Sequence, residues 1–144
     1  MAYERTLRLS GAEQLDYWTY QNNYPLVSAD GKRPFPVWHV LRQLESALPP
    51  GARLVTAEAG HDQLQVLPAR GPAADRIAIL LVNSAGAGEV RLKGLPPGAS
   101  FSQRLSTRQA QGQSRPVLQV AADGSLRLSL PSRSLLSLIS PPQN

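Results

Sequence analysis

The sequence predicts a mainly β protein, an antiparallel β-sandwich of about eight strands preceded by a short strand-loop-helix unit. The spacing of apolar residues changes once, near Pro49-Pro50-Gly51. Before this point apolar residues recur at steps of three and four, which is typical of a helix. After it, short alternating segments follow at intervals of roughly ten residues with turn signals between them, as expected of an antiparallel sandwich.

The first 50 residues predict a helix at 2–12, a strand at 15–20, a loop at 21–30 that closes on Asp30-Gly31, and a helix at 35–48. Pro34 and Pro36 fit the first turn of the second helix, where a missing amide donor costs nothing. The apolar stripe of this helix is predicted to contain Val37, Val40, Leu41, Leu44 and Leu48, with Trp38 beside it as a packing residue. The predicted outward side chains are Arg42, Gln43, Glu45 and Ser46.

Beyond Gly51 the alternation predicts strands near 53–59, 63–69, 76–83, 88–93, 100–107, 116–121, 125–130 and 134–139. The run Ile77 to Val82 is apolar at every position, so we expect it to be the central strand with both faces covered. Ala122-Asp123-Gly124-Ser125 is the clearest hairpin turn. Residues 108–115 are polar and predict a loop.

Composition excludes several classes of protein. A complete eight-fold barrel needs roughly 250 residues, and this chain has 144. With no cysteine and two histidines, His39 and His61, we expect no metal site and no cofactor, and calcium has only weak support from the Ala-Asp-Gly sequences at 29–31 and 122–124. The net charge of +5 comes from arginines scattered along the chain, which favours solvated strand faces over a nucleic-acid partner.

No run of about 18 apolar residues exists, so we expect no membrane partner. The first residues, MAYERTLRLS, lack the apolar segment and the cleavage site of a secretory signal. The sequence therefore leaves the location of the chain open.

One stretch carries a family resemblance. Residues 14–51, QLDYWTYQNNYPLVSADGKRPFPVWHVLRQLESALPPG, place an aromatic strand, an Asp-Gly turn and a Pro-initiated helix in close succession. This order resembles the last β/α unit of the TIM barrel in clan-A-like (β/α)8 glycoside hydrolases, in which a C-terminal β-sandwich follows. "ILLVN", "GLPPG" and "DGSLRLSLPSRSLLSL" in the second half are similar to that sandwich. The resemblance implies a barrel-like segment at 1–50 and a sandwich at 51–144.

Glycosidases need two carboxyl groups that flank the scissile bond. In the resembled enzymes both lie on earlier barrel strands, which this chain does not contain. Asp16 is the one acid on the strand that would point into a barrel, and Asp30 and Asp123 fall at turns, where carboxylates bind the local backbone. We therefore predict no catalytic residue, and we expect the isolated chain to be inactive although it resembles part of an O-glycosyl hydrolase.

Aromatic and amide side chains near residue 20 predict a sugar-binding surface. In the resembled enzymes an aromatic residue at the end of the last strand forms a platform for sugar, and Trp18 is the matching position. Tyr20 shares its strand face, and Asn22 and Asn23 offer amide donors and acceptors for hydroxyl groups. The alternative is that Trp18 fills the space between strand and helix.

Two hypotheses of function follow. The first is a C-terminal structural region of a glycoside hydrolase acting on polysaccharide, either packed beside an upstream or partner catalytic barrel or self-associated through exposed faces of residues 1–48. The second is a stand-alone carbohydrate-binding or adhesion-type module. After Trp38 the only aromatic residue is Phe101, which favours the first. By resemblance the parent enzyme would be periplasmic or secreted. The helix at 35–48 could also fold back onto the sandwich as a compact α+β domain.

Overall fold

The computed structural model describes residues 25–72 and 76–141. They form one helix, α1 (Pro36–Ala47), and eight strands. The strands are β1 (Arg53–Leu54), β2 (Leu64–Arg70), β3 (Ile77–Asn83), β4 (Gly88–Leu92), β5 (Ser100–Ser106), β6 (Gln113–Gln119), β7 (Leu126–Leu130) and β8 (Ser134–Ile139). The predicted mainly β fold class is confirmed, while the helix predicted at 2–12 and the strand predicted at 15–20 lie outside the described residues.

Helix α1 begins and ends close to the predicted bounds. Pro36 lies in its first turn, where the ring fixes a helical φ and no amide donor is lost. At the other end the Leu48 amide donates to the Leu44 carbonyl at 2.8 Å. Gly51 then takes a φ of 79°, which turns the chain towards β1 at little steric cost.

The strands form two antiparallel sheets of unequal size. The larger has six strands in the order β1-β2-β3-β8-β5-β6, and the smaller has two, β4 and β7. Strand β8 pairs with β3 on one edge and with β5 on the other. The last described strand in sequence therefore joins the two halves of the larger sheet.

Strand β3 has buried residues on both faces, as its apolar run predicted. Ile79 and Leu81 point towards β4 and β7 and join a core that includes Phe101, Leu136 and Leu138. The alternate residues of β3 point to the other face. There Ala78 and Leu80 belong to a second buried cluster under α1. That cluster also contains Leu44, Ala47, Leu48, Leu67, Ala69 and Leu135. Helix α1 thus packs on the sheet face opposite the sandwich core.

Three details differ from the sequence prediction. Strand β1 ends at Leu54, well short of the predicted 59. Strand β6 already begins at Gln113, so the loop predicted at 108–115 is shorter. Gln43, predicted to face solvent, is 1% exposed. Its position on α1 faces Ser106 and Ser137 of the larger sheet rather than water.

Candidate functional site

The predicted sugar-binding residues, Trp18, Tyr20, Asn22 and Asn23, lie outside the described residues. The structure therefore does not test that prediction. The loop that follows them is described from Pro25 onwards.

Residues 26–35 form a small hairpin that leads into α1. Val27 and Pro34 make an isolated antiparallel bridge, and the Phe35 amide donates to the Leu26 carbonyl at 2.8 Å. Asp30 at the tip accepts hydrogen bonds from the Ser28 hydroxyl at 2.5 Å and from the Lys32 amide at 3.1 Å. The predicted local backbone role of Asp30 is confirmed.

These hydrogen bonds, led by that from Ser28, lower the pKa of the Asp30 carboxyl below its ordinary value. A general acid of a glycosidase needs the opposite change, a raised pKa. Within the described residues, no three His, Asp or Glu side chains lie close enough to bind a metal ion.

Within residues 25–72 and 76–141, the carboxylates offer no acid-base pair in a cleft. Those in the described residues are Asp30, Glu45, Glu58, Asp62, Glu89 and Asp123, and every one is exposed. Asp123 accepts hydrogen bonds from the Ser125 amide at 3.0 Å and from the Arg91 guanidinium at 2.8 Å. Interactions with Ser125 and then with Arg91 lower the pKa of Asp123 below its ordinary value. Asp123 thus stabilises a turn, as the sequence predicted, and is ionised at neutral pH.

Trp38 lies on the flank of α1 and not under it. It is half-buried and is not among the described residues of the cluster between helix and sheet, so the packing role predicted for it stays a prediction. The Arg42 guanidinium lies 4.9 Å from the centre of its ring, and the ring of His39 meets it edge-on at 5.0 Å. Trp38 therefore presents an aromatic surface under a cation on the outside of the helix.

Gln43 is the residue that sequence reasoning missed. Its amide nitrogen donates to the carbonyl oxygen of Arg104 at 2.5 Å and to the Ser137 hydroxyl at 3.1 Å. Its amide oxygen accepts from the Ser106 hydroxyl at 2.8 Å, and the Ser106 oxygen accepts from the Gly112 amide at 2.9 Å. One side chain thus ties α1 to β5, β8 and the loop before β6. The signal in the sequence is its spacing, since Val40, Gln43 and Ala47 follow one another at steps of three and four.

The sandwich offers no exposed aromatic platform in its described part. Phe101 is fully buried, so it cannot stack on a sugar. In the part of the chain that the structure covers, no helix is long and apolar enough to span a bilayer.

Comparison with known proteins finds similarity in structure and none in sequence. No protein-family model matches the chain, and no curated protein matches it. Three similar solved structures are GH30 xylanases, all with low sequence identity. The endoxylanase of Clostridium papyrosolvens is 15% identical, with a TM-score of 0.70 over 79% of this chain and 30% of its own.

The subfamily 8 xylanase of Clostridium acetobutylicum has a TM-score of 0.72 at 15% identity, over 83% of this chain and 31% of its own. The catalytic domain of xylanase C from Talaromyces cellulolyticus has a TM-score of 0.73 at 14% identity, over 85% of this chain and 28% of its own.

The chain therefore spans less than a third of the xylanases to which it is similar, and the likeness takes in most of what the structure describes. It has the fold of a region of a GH30 xylanase, consistent with the C-terminal region of a glycoside hydrolase that the sequence resemblance predicted.

Proposed function

We propose that this chain is the C-terminal accessory region of a glycoside hydrolase that acts on polysaccharide, and that it has no catalytic activity on its own. The proposal rests on how much of each chain the structural similarity covers. The similarity extends over 79–85% of this chain but only 28–31% of each xylanase. A catalytic barrel alone needs roughly 250 residues, so the chemistry would lie in the remainder of such an enzyme.

The carboxylates of the described residues support the absence of catalysis. They lie on exposed surfaces, whereas a glycosidase places its pair across a cleft. Asp30 and Asp123 have pKa values below the ordinary range, because turn hydrogen bonds favour their charged forms. Neither can hold a proton for a leaving group near neutral pH.

The flank of α1 is our candidate surface for docking to the catalytic barrel. Trp38 is half-buried there, and the Arg42 guanidinium covers one face of the indole. Trp and Arg are the residue types that contribute most often to the energetic centre of an interface. The opposite side of the helix is fixed to the sheet by Leu44 and Gln43, so the flank is held rigidly for a partner.

An immunoprecipitation experiment tests the proposal. Antibodies raised against the purified chain are used to precipitate material from the source cells, and release of reducing sugar is measured on a panel of plant and bacterial polysaccharides. We expect hydrolysis by the precipitate, blocked by excess purified chain, and none by the purified chain itself. Hydrolysis by the purified chain would overturn its accessory role, and an inactive precipitate would overturn the link to a glycoside hydrolase.

Affinity electrophoresis separates this proposal from a stand-alone carbohydrate-binding module. The chain migrates through gels that contain the same polysaccharides, beside Trp18→Ala and Trp38→Ala variants. Retardation lost in Trp18→Ala but kept in Trp38→Ala would assign sugar binding to the predicted platform. Unretarded migration of all three is the result expected of a structural region.

A further inference from the structure

The smaller sheet has two outer strand edges among the described residues, and that of β4 is the one beside strands β2 and β3 of the larger sheet. Strand β4 pairs with β7 through residues 88–92, and among the described residues no strand pairs with its other edge. An unpaired edge presents a row of amide donors and carbonyl acceptors that can bind a further strand. Because the sheets contain six and two strands, part of the larger sheet also extends beyond this edge.

A groove of about 460 Å³ lies beside the end of β4, over that extension. Its floor is apolar and comes from side chains on the sandwich-core face of β2 and β3, which are Val66, Pro68, Ile77 and Ile79. Leu92 and Leu95 form one wall, and Val55, which is 43% exposed, lies on the other. The groove thus combines an apolar floor with an unpaired backbone edge along its side.

A second copy of the chain does not fit this edge. Pairing β4 with β4 of another copy would align the two smaller sheets in one layer. Paired strands lie about 4.8 Å apart. At that distance β1 and β2 of the two copies, which extend beyond β4 in the other layer, would occupy the same space. The groove therefore has room for a single extended segment, but not for a strand that belongs to a second copy of the sandwich.

The charges at the groove indicate the character of that segment. Its lining contains Arg70, Arg91 and Lys93 against a single acid, Glu58. Asp123 pairs with Arg91 at 2.8 Å, which leaves an excess of positive charge at the rim. Charge complementarity therefore favours a segment with carboxylates on its outward face.

We propose that this groove binds an extended acidic peptide by strand addition to β4, with apolar side chains directed to the floor and carboxylates directed to the rim. Main-chain hydrogen bonds to β4 supply the affinity, and the alternation of the peptide supplies the specificity. This site does not depend on the proposed glycosidase function.

The first test is binding of a fluorescein-labelled eight-residue peptide of alternating valine and glutamate, measured by anisotropy. We expect saturable binding, and binding at least about fivefold weaker for the matched peptide of alternating valine and lysine. Amide shifts in a two-dimensional NMR spectrum locate the peptide, and we expect them to concentrate in residues 88–92. No binding at millimolar peptide, or shifts confined to other residues, would overturn the proposal.

Two N-methylated peptides test strand addition without altering the protein. In an extended strand the amides of alternate residues point to opposite edges. Methylation of the valine amides therefore blocks one edge of the peptide, and methylation of the glutamate amides blocks the other edge. We expect one of the two peptides to lose binding and the other to keep it, whereas equal binding by both would exclude pairing with a single strand edge.

A charge variant provides the control on the protein side. Lys93→Glu is expected to weaken the valine-glutamate peptide about fivefold. Arg108→Glu makes the same change of charge at an exposed position in the loop between β5 and β6, outside the groove, and is expected to leave the affinity unchanged. If both variants weakened peptide binding equally, the peptide would be responding to the net charge of the protein, and the proposal of a specific site would be overturned.

Discussion

Gln43 is the single side chain on which the attachment of α1 depends most. Gln43→Leu keeps the volume but removes the hydrogen bonds of Gln43 with the Arg104 carbonyl and with the Ser137 and Ser106 hydroxyls. The Ser106 hydroxyl loses the acceptor for its proton, whereas the Ser137 hydroxyl still donates to the Arg104 carbonyl at 3.5 Å. Because buried polar groups without hydrogen bonds are costly, we expect a loss of about 2–3 kcal/mol in the free energy of unfolding. Urea denaturation followed by circular dichroism measures it.

The matched control for Gln43 is Glu45→Leu, an exposed position on the same helix, where we expect a change within about 0.5 kcal/mol. Adding Ser106→Ala to Gln43→Leu removes the hydroxyl that has lost its acceptor and is expected to restore part of the loss. A cost for Gln43→Leu no larger than that of Glu45→Leu would contradict the role assigned to the network.

Asp123 makes stability depend on pH in acid. Its pKa in the folded chain lies below the ordinary value of 3.8, so the carboxylate stabilises the fold above that pH. This contribution is lost as the pH falls through the folded pKa. We expect thermal stability to decrease below about pH 4, and to decrease less steeply in Asp123→Asn. Glu89→Gln, which changes the same charge on neighbouring β4, is the control for net charge, and an identical acid profile for both variants would contradict the prediction.

At the scale of the element, the turn from β6 to β7 requires glycine at one position. Gly124 has a φ of 71°, and a Cβ there would lie 2.9 Å from the Leu95 carbonyl oxygen. A side chain is strained at this φ, and its Cβ would lie too close to the Leu95 oxygen. We therefore expect Gly124→Ala to lower the free energy of unfolding by about 1–3 kcal/mol. Gly86→Ala, in the turn before β4, meets nothing within 4 Å and is expected to be nearly neutral. Chemical denaturation of the two variants side by side decides the matter.

The helix and most strands follow from local patterns, and the exceptions have physical causes. Prolines and the three-and-four spacing give α1 its bounds, and alternation gives β7 its buried leucines at 126, 128 and 130. The sequence predicts that β6 begins near residue 116, later than its observed start at Gln113, because most residues of this strand are polar or exposed. It is an edge strand, held by backbone pairing with β5, so hydrophobic periodicity carries little information about it.

At the scale of the whole molecule, the flank of α1 should cause self-association of the purified chain. Trp38 is half-buried and lies on this flank, and an aromatic surface rigidly held on a helix favours contact with a second copy or a partner. We expect sedimentation velocity to show association that increases with concentration. Trp38→Glu should weaken it about tenfold while leaving the unfolding midpoint nearly unchanged. A strictly monomeric chain across micromolar to millimolar concentrations would contradict this prediction.

The order of strands and the partners of Gln43 were beyond what the sequence could predict. Alternation indicates which residues of a strand share a face, but it does not indicate which strands are neighbours. The contacts of Gln43 join residues that are 61 to 94 positions apart, so they exist only once the sheet order is known. The candidate sugar-binding residues, Trp18, Tyr20, Asn22 and Asn23, stay a prediction.

The position of β8 between β3 and β5 has a consequence for synthesis on the ribosome. Until residues 134–139 have been made, the strand that joins β3 to β5 is missing, so the edges of β3 and β5 that pair with β8 have no partner in the larger sheet. Neither edge can complete its hydrogen bonding, and Gln43 lacks its Ser137 partner. The nascent protein therefore cannot form the complete larger sheet before residues 134–139 are available, and the unpaired edges of β3 and β5 favour aggregation until then.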